Sequence, residues 1–378
     1  MTGAPRLAWL DCLRLLAGLS MLVLHCTADQ NGGAWADYEV RDRIAPLVLR
    51  TFAYTARTEL FIIISLFLLM MSLEKRQRNY SDTIAEQAER LLIPFAFWTV
   101  FYAFFTLLKA QHFGYFDSKL AALGEVKTWL SFAFLGTSKY HMHFLPTLFC
   151  VVLAYPLMRK AIDVPVLGGV ALVLCLTSRW QFDQFIYPRL WDDPNILAIG
   201  RAVKIVTHIG YGMAAAACLG LWQRHGRKSL ESWIPVVLYF ALLVLAFKFL
   251  GTVETIETGR WSHNYLPGFW ADFTMPAILF LICMLLGHRS WTPIFSRYAK
   301  FAFGIYLCHP IFLDFAEIFL RGQDLSPTGQ VIAKIGFTLP TTVLGVALLA
   351  RVKSLSWTIG LGGRPAFFVL PRFNRRPE

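Results

Sequence analysis

The sequence predicts an all-α fold, a polytopic membrane bundle of about ten transmembrane helices with both termini cytoplasmic. Three observations carry that expectation. Hydrophobic residues make up 56% of the 378 and charged residues only 16%, whereas a soluble domain carries about a quarter charged. The apolar residues gather in runs of about 20, long enough to cross a bilayer core. Lys and Arg crowd alternate connections between the runs, the asymmetry that orients membrane proteins.

Taken in order, the expected spans are roughly 8–27, 46–72, 90–109, 142–159, 164–179, 201–222, 232–250, 270–288, 300–320 and 329–351. With the N-terminus inside, the inner segments hold Arg6, the Lys75, Arg76, Arg78, Arg90 group, Arg159 with Lys160, and the basic tail. The outer loops are longer in total and hold fewer cations, which places both ends in the cytoplasm. The domain expectation is a membrane domain over 1–352 followed by a basic cytoplasmic tail over 353–378. The first run follows Arg6 but contains Asp11 and Arg14, with no small-residue cleavage site after His25, so it is expected to be a retained helix.

The net charge of +12 comes from dispersed loop cations, so nucleic acid is not an expected partner. The seven cysteines stand singly, with no C-x-x-C pair, so neither a disulfide framework nor a metal site is expected. No internal repeat, P-loop or G-x-G-x-x-G occurs. Any chemistry must therefore use residues in or just outside the spans.

Ionisable groups inside apolar runs are costly, about 2.5–3.5 kcal/mol each on insertion scales, and mark functional positions. The first run, LDCLRLLAGLSMLVLH, carries Asp11, Arg14 and His25. Arg14 and His25 are eleven residues apart, which returns them to one helix face about 16 Å apart along the axis. Asp11 lies one turn before Arg14, where an ion pair lowers the insertion cost. The second run, ARTELFIIISLFLLMM, adds Arg57 and Glu59. Two readings stand level for Glu59: a carboxylate at the depth of His25, orienting its ring, or a partner of Arg57 in a pair at the membrane edge. KYHMHFLPTLF places His141 and His143 at the mouth of the fourth span, and FGIYLCHP puts His309 before the helix-bending Pro310. The outer segments 180–195 and 260–270 mix aromatic rings with polar groups, including Trp261, His263 and Tyr265. That composition suits stacking on sugar faces, and equally an interfacial aromatic belt.

Four segments in order give the chain a family likeness: Asp11 with the Arg14–His25 spacing, ELFIIISLFLL, HMHFLPTLFCVVLAYPL and FAFGIYLCHPIF. The chain resembles the acyltransferase-3 family of integral-membrane O-acyltransferases, with a likeness to the enterobacterial common antigen O-acetyltransferase branch. It departs from the family pattern at Leu66, where a glycine is usual, at His143, where a tryptophan is usual, and at Gln87, where an Arg-x-x-Arg pair often begins. The resemblance implies transfer of an acyl group, most often acetyl, from cytoplasmic acyl-CoA to a hydroxyl of an extracytoplasmic glycan or polysaccharide. It implies acetyl-CoA as co-substrate, held by Arg14, Lys75, Arg76, Arg78 and Arg90, and no metal. Catalytic roles fall to His25, as general base or transient acyl carrier, with Arg14, Glu59 and Asp11. Arg57, His141, His143, Trp261, His263, Tyr265, Tyr306 and His309 are then expected on the acceptor side. The implied setting is the bacterial inner membrane, with polysaccharide biosynthesis or export proteins as partners. A transporter or flippase of a glycan or acyl donor is the alternative, though paired broken helices are not evident in the sequence.

Overall fold

The computed structural model describes residues 7–76, 78–225, 227–262 and 266–362. Among these the protein is all-α. The helices are α1 (Ala8–Cys26), α2 (Val40–Ala53), α3 (Thr58–Lys75), α4 (Tyr80–Phe113), α5 (Phe116–Leu123), α6 (Val126–Leu130), α7 (Phe144–Leu153) and α8 (Tyr155–Asp163). They continue as α9 (Val166–Gln181), α10 (Ile196–Arg224), α11 (Arg227–Glu231), α12 (Ile234–Thr258), α13 (Leu266–Leu285), α14 (Ile294–Tyr298), α15 (Ala302–Leu320) and α16 (Pro327–Arg351).

Eight helical segments among the described residues are long and apolar enough to cross a membrane. Three of the ten expected spans form differently. The run at 142–159 becomes α7 and α8, bent by 64° at Ala154, where Pro156 cannot donate a backbone hydrogen bond into α7. The run at 164–179 becomes α9, of only 16 residues. The second span is broken too: Arg57 adopts an extended backbone between α2 and α3, so that α3 begins with Glu59 and Leu60 buried in its first turn.

α1 lies in the interior against α3, α13, α15 and α16, and α10 packs on α3, α7, α8 and α9. Close approach is permitted by small residues, as membrane helix packing requires. A Cβ on Gly220 of α10 would fall 2.2 Å from the Ile162 carbonyl oxygen of α8. Trp9 of α1, 1% exposed, anchors the core with its ring against Phe67, Trp222 and Phe280 from three other helices. Polar bonds add registry between helices: the Tyr211 hydroxyl donates to the Phe273 carbonyl at 2.5 Å, and the Tyr102 hydroxyl to the Leu307 carbonyl at 2.5 Å.

Candidate active site

Two cavities enter the bundle from opposite ends and share no lining residue. One, of about 750 Å³, opens where α1, α4 and α15 begin and where α3 and α10 end. Arg14, Lys75, Arg78, Arg90 and Lys300 line it, with Asp11 and Glu86 among them. Arg14 lies 3.6 Å from Asp11, and Arg78 pairs with Glu86. Four of the five cations expected to hold a donor therefore meet in one wall. Arg76 does not: the chain is extended after α3, and its side chain is exposed outside the cavity.

At the deep end of this cavity stand Phe61 and Phe144. Both rest on Tyr306, with ring centroids 5.6 and 5.3 Å away. Beyond Tyr306 the bundle holds a cluster of imidazoles. His25 stacks on His309, with centroids 5.4 Å apart and planes 16° from parallel, and Tyr140 lies 4.3 Å from His25 and 6.4 Å from His309. His141 lies 5.5 Å from His309 and 5.3 Å from Tyr306, and its backbone carbonyl accepts the Tyr306 hydroxyl. His25 Nε2, His309 Nε2 and both ring nitrogens of His141 are buried without a hydrogen-bond partner. Burial, the neighbouring His309 and His25, and the Lys139 charge push the His141 imidazole well below its ordinary range. The His141 ring is therefore held neutral, the state that a proton acceptor requires, beside the unpartnered ring nitrogens of His25 and His309.

The turn carrying His141 and His143 depends on Gly136. Its φ is +65°, and a Cβ there would fall 2.4 Å from the His143 Cα, so only glycine fits. His143 faces away from His25 toward Lys204, with Nε2 3.4 Å from Nζ.

Glu59 is not beside His25. Its Oε2 lies 3.1 Å from Arg57 Nε and its Oε1 3.9 Å from His208 Nε2. The break at Arg57 starts α3 so that its first turn faces α10, which bears His208, while the last turn of α1 faces α15. Nor is the Arg57–Glu59 pair a surface pair, since the two side chains are 14% and 2% exposed.

The second cavity, of about 960 Å³, lies where α3 and α13 begin and α12 ends. Arg57 and Trp261 line it with Arg50, Arg179, Tyr187, Trp191, Lys248 and Asp272. The segments 180–195 and 260–270, separate in sequence, thus meet across one hollow. His263 and Tyr265 lie outside the described residues, as do most of the expected tail and Arg6. Arg50 joins this cavity to the end of α1, donating from Nη1 to the Leu24 carbonyl at 2.9 Å.

Sequence reasoning did not single out His208, Lys204, Tyr140, Lys139 or Asp314. Lys204 and Asp314 carried a usable signal, an ionisable group inside an apolar run. Tyr140 and Lys139 carried none, because their loop position says nothing about burial. Among the described residues, no three His, Cys, Asp or Glu side chains are placed to hold one metal ion.

A family model described as an acyltransferase domain matches residues 7–351. No curated protein matches the chain, and no solved structure matches it.

Proposed function

We propose, from the premise that the chain belongs to this acyltransferase family, that it moves an acyl group from cytoplasmic acyl-CoA to a hydroxyl of an extracytoplasmic glycan. Family membership makes it a multi-pass membrane acyltransferase; the donor, the acceptor, the bacterial inner membrane and both cytoplasmic termini belong to the proposal. Acetyl is the favoured group, and the enterobacterial common antigen branch is the favoured relation on the four sequence segments.

One observation carries the reading: a basic cavity ends on rings that rest on Tyr306 beside the imidazoles, while an aromatic, polar cavity at the other end is tied through Arg50 to the Leu24 carbonyl, one residue before His25. In this scheme Arg14, Lys75, Arg78, Arg90 and Lys300 hold the phosphates of the donor, as guanidinium and ammonium groups do. Arg14 and His25 sit on one continuous helix, about 16 Å apart by its 1.5 Å rise, which matches the reach of a pantetheine arm. The thioester then lies near Tyr306 and the imidazole cluster. His25 Nε2 takes the hydroxyl proton of the sugar as the oxygen attacks the thioester carbonyl. The C–S bond breaks, and the departing thiolate receives that proton from His25, so no net charge is left behind. Transient acylation of the same nitrogen, followed by transfer to the hydroxyl, uses the same groups.

The test is transfer of labelled acetyl from acetyl-CoA to polysaccharide by purified protein. His25→Ala is expected to lower transfer by about 100-fold or more with unchanged yield of folded protein. Near-normal transfer by that variant rejects the role of His25. Arg14→Ala is expected to raise the donor KM, and unchanged donor kinetics reject the donor-side assignment.

A further inference from the structure

The larger cavity is unevenly charged. Four cations line it: Arg50, Arg57, Arg179 and Lys248. Three of these have a carboxylate of their own. Arg57 Nε lies 3.1 Å from Glu59, Arg179 Nε donates to Asp183 at 2.6 Å, and Lys248 bonds Asp272. Arg50 has no carboxylate within ion-pair distance among the described residues. Its Nη1 donates to the Leu24 carbonyl at 2.9 Å and to the Thr27 hydroxyl at 3.4 Å, both uncharged. The field of Asp272 reaches Arg50, but that carboxylate is already bonded to Lys248.

Arg50 also lies over the Trp261 ring, 4.1 Å from its centroid, and Trp261 is pinned by a 3.0 Å bond from its Nε1 to the Gly32 carbonyl. A guanidinium without a carboxylate partner is therefore stacked on an aromatic ring in a hollow at the upper end of the ligand-site range, about 300–1,000 Å³. A half-buried cation without a counter-charge is costly, and an incoming oxyanion supplies what the wall lacks.

We propose that this cavity takes an acidic saccharide, one that carries an oxyanion seated on Arg50 while a sugar face packs near Trp261. This deepens the acceptor side of the proposed function and rests on that reading. A uronic acid carboxylate and a sugar phosphate share the required chemistry.

The test is equilibrium binding, without any acyl donor, to the full-length protein in zwitterionic nanodiscs at low salt. Three probes are compared: a galacturonic acid tetrasaccharide, the same tetrasaccharide with its carboxyls reduced to alcohols, and galactose 1-phosphate. At least one anionic probe is expected to bind about tenfold tighter than the neutral one, a gain of the size one charge-assisted contact gives. The probe that shows the gain identifies carboxylate or phosphate as the group recognised. Equal or absent binding of all three overturns the proposal. Arg50→Gln is expected to bring the ratio close to one, and Arg50→Lys to keep most of it. A ratio unchanged in Arg50→Gln overturns the assignment to Arg50, and the wild-type comparison stands whether or not that variant folds. Displacement of the saccharide by nanodiscs of anionic lipid makes the cavity a headgroup site and also overturns it. Because no acyl transfer is measured, failure of the acyltransferase scheme is read separately.

Discussion

In the neutral ring of His309 the proton sits on Nδ1, because that nitrogen lies 2.8 Å from the Tyr306 carbonyl, which can only accept. Pro310 makes the arrangement possible. It has no N–H, so the Tyr306 carbonyl one turn earlier loses its helical donor, and the histidine side chain takes its place. Nε2 is left as a lone-pair nitrogen with no partner, in the ring that stacks on His25. Pro310→Ala returns a backbone donor to Tyr306 and releases the ring. Acetyl transfer is then expected to fall by about tenfold or more while helix content by circular dichroism is unchanged; undiminished transfer shows that the tautomer of His309 does not matter. At this scale the sequence was readable in part. His25, Arg14 and the His309–Pro310 pair stand out in apolar runs, but spacing along a chain cannot say that Glu59 turns to His208 and away from His25.

Helices α4, α15 and α16 and the turn at 136–143 are joined by buried ions. Lys139 Nζ donates to Asp314 at 2.5 Å, Lys109 lies 3.6 Å from Asp314 and bonds Glu317, and Lys334 lies 3.6 Å from Glu317. Lys139, Asp314 and Lys334 are each less than a tenth exposed. Removing one partner leaves charges buried without compensation, which costs about 3–5 kcal/mol. Asp314→Ala is therefore expected to lower the midpoint of unfolding in mixed micelles sharply. The double variant with Lys139→Met is expected to lose less than the two single losses combined, as coupled groups do; strict additivity would show the pair to be unimportant. The elements themselves were legible as apolar runs, and all ten expected runs form helix. The break at Ala154 was not read from the sequence, although Pro156 was there to see. The ion network was legible only as anomalies, since Asp314, Glu317 and Lys334 interrupt apolar runs while their partner Lys139 sits in an ordinary-looking loop.

At the scale of the whole molecule, the two cavities give the bundle a direction. In the proposed scheme the charge asymmetry of the loops puts the smaller one on the cytoplasmic side, and the donor with it. A cysteine replacing Trp191, 65% exposed in the wall of the larger cavity, is expected to react in intact cells with a maleimide that cannot cross membranes. One replacing Lys75 is expected to react only after permeabilisation, above the background of the seven native cysteines. The reverse pattern would invert the orientation and with it the side from which the donor arrives. The sequence contained the asymmetry but not the hollows, because each hollow is assembled from segments that only tertiary packing brings together.

Phe61, Phe144 and Tyr306 stand between those hollows as three packed rings. Such a septum carries no fixed charge, and packed rings are a poor medium for a hydrated ion, so it serves as electrical insulation. In the proposed scheme a group handed through it travels as a covalent passenger. Reactants can meet from opposite compartments while the voltage across the membrane stays intact.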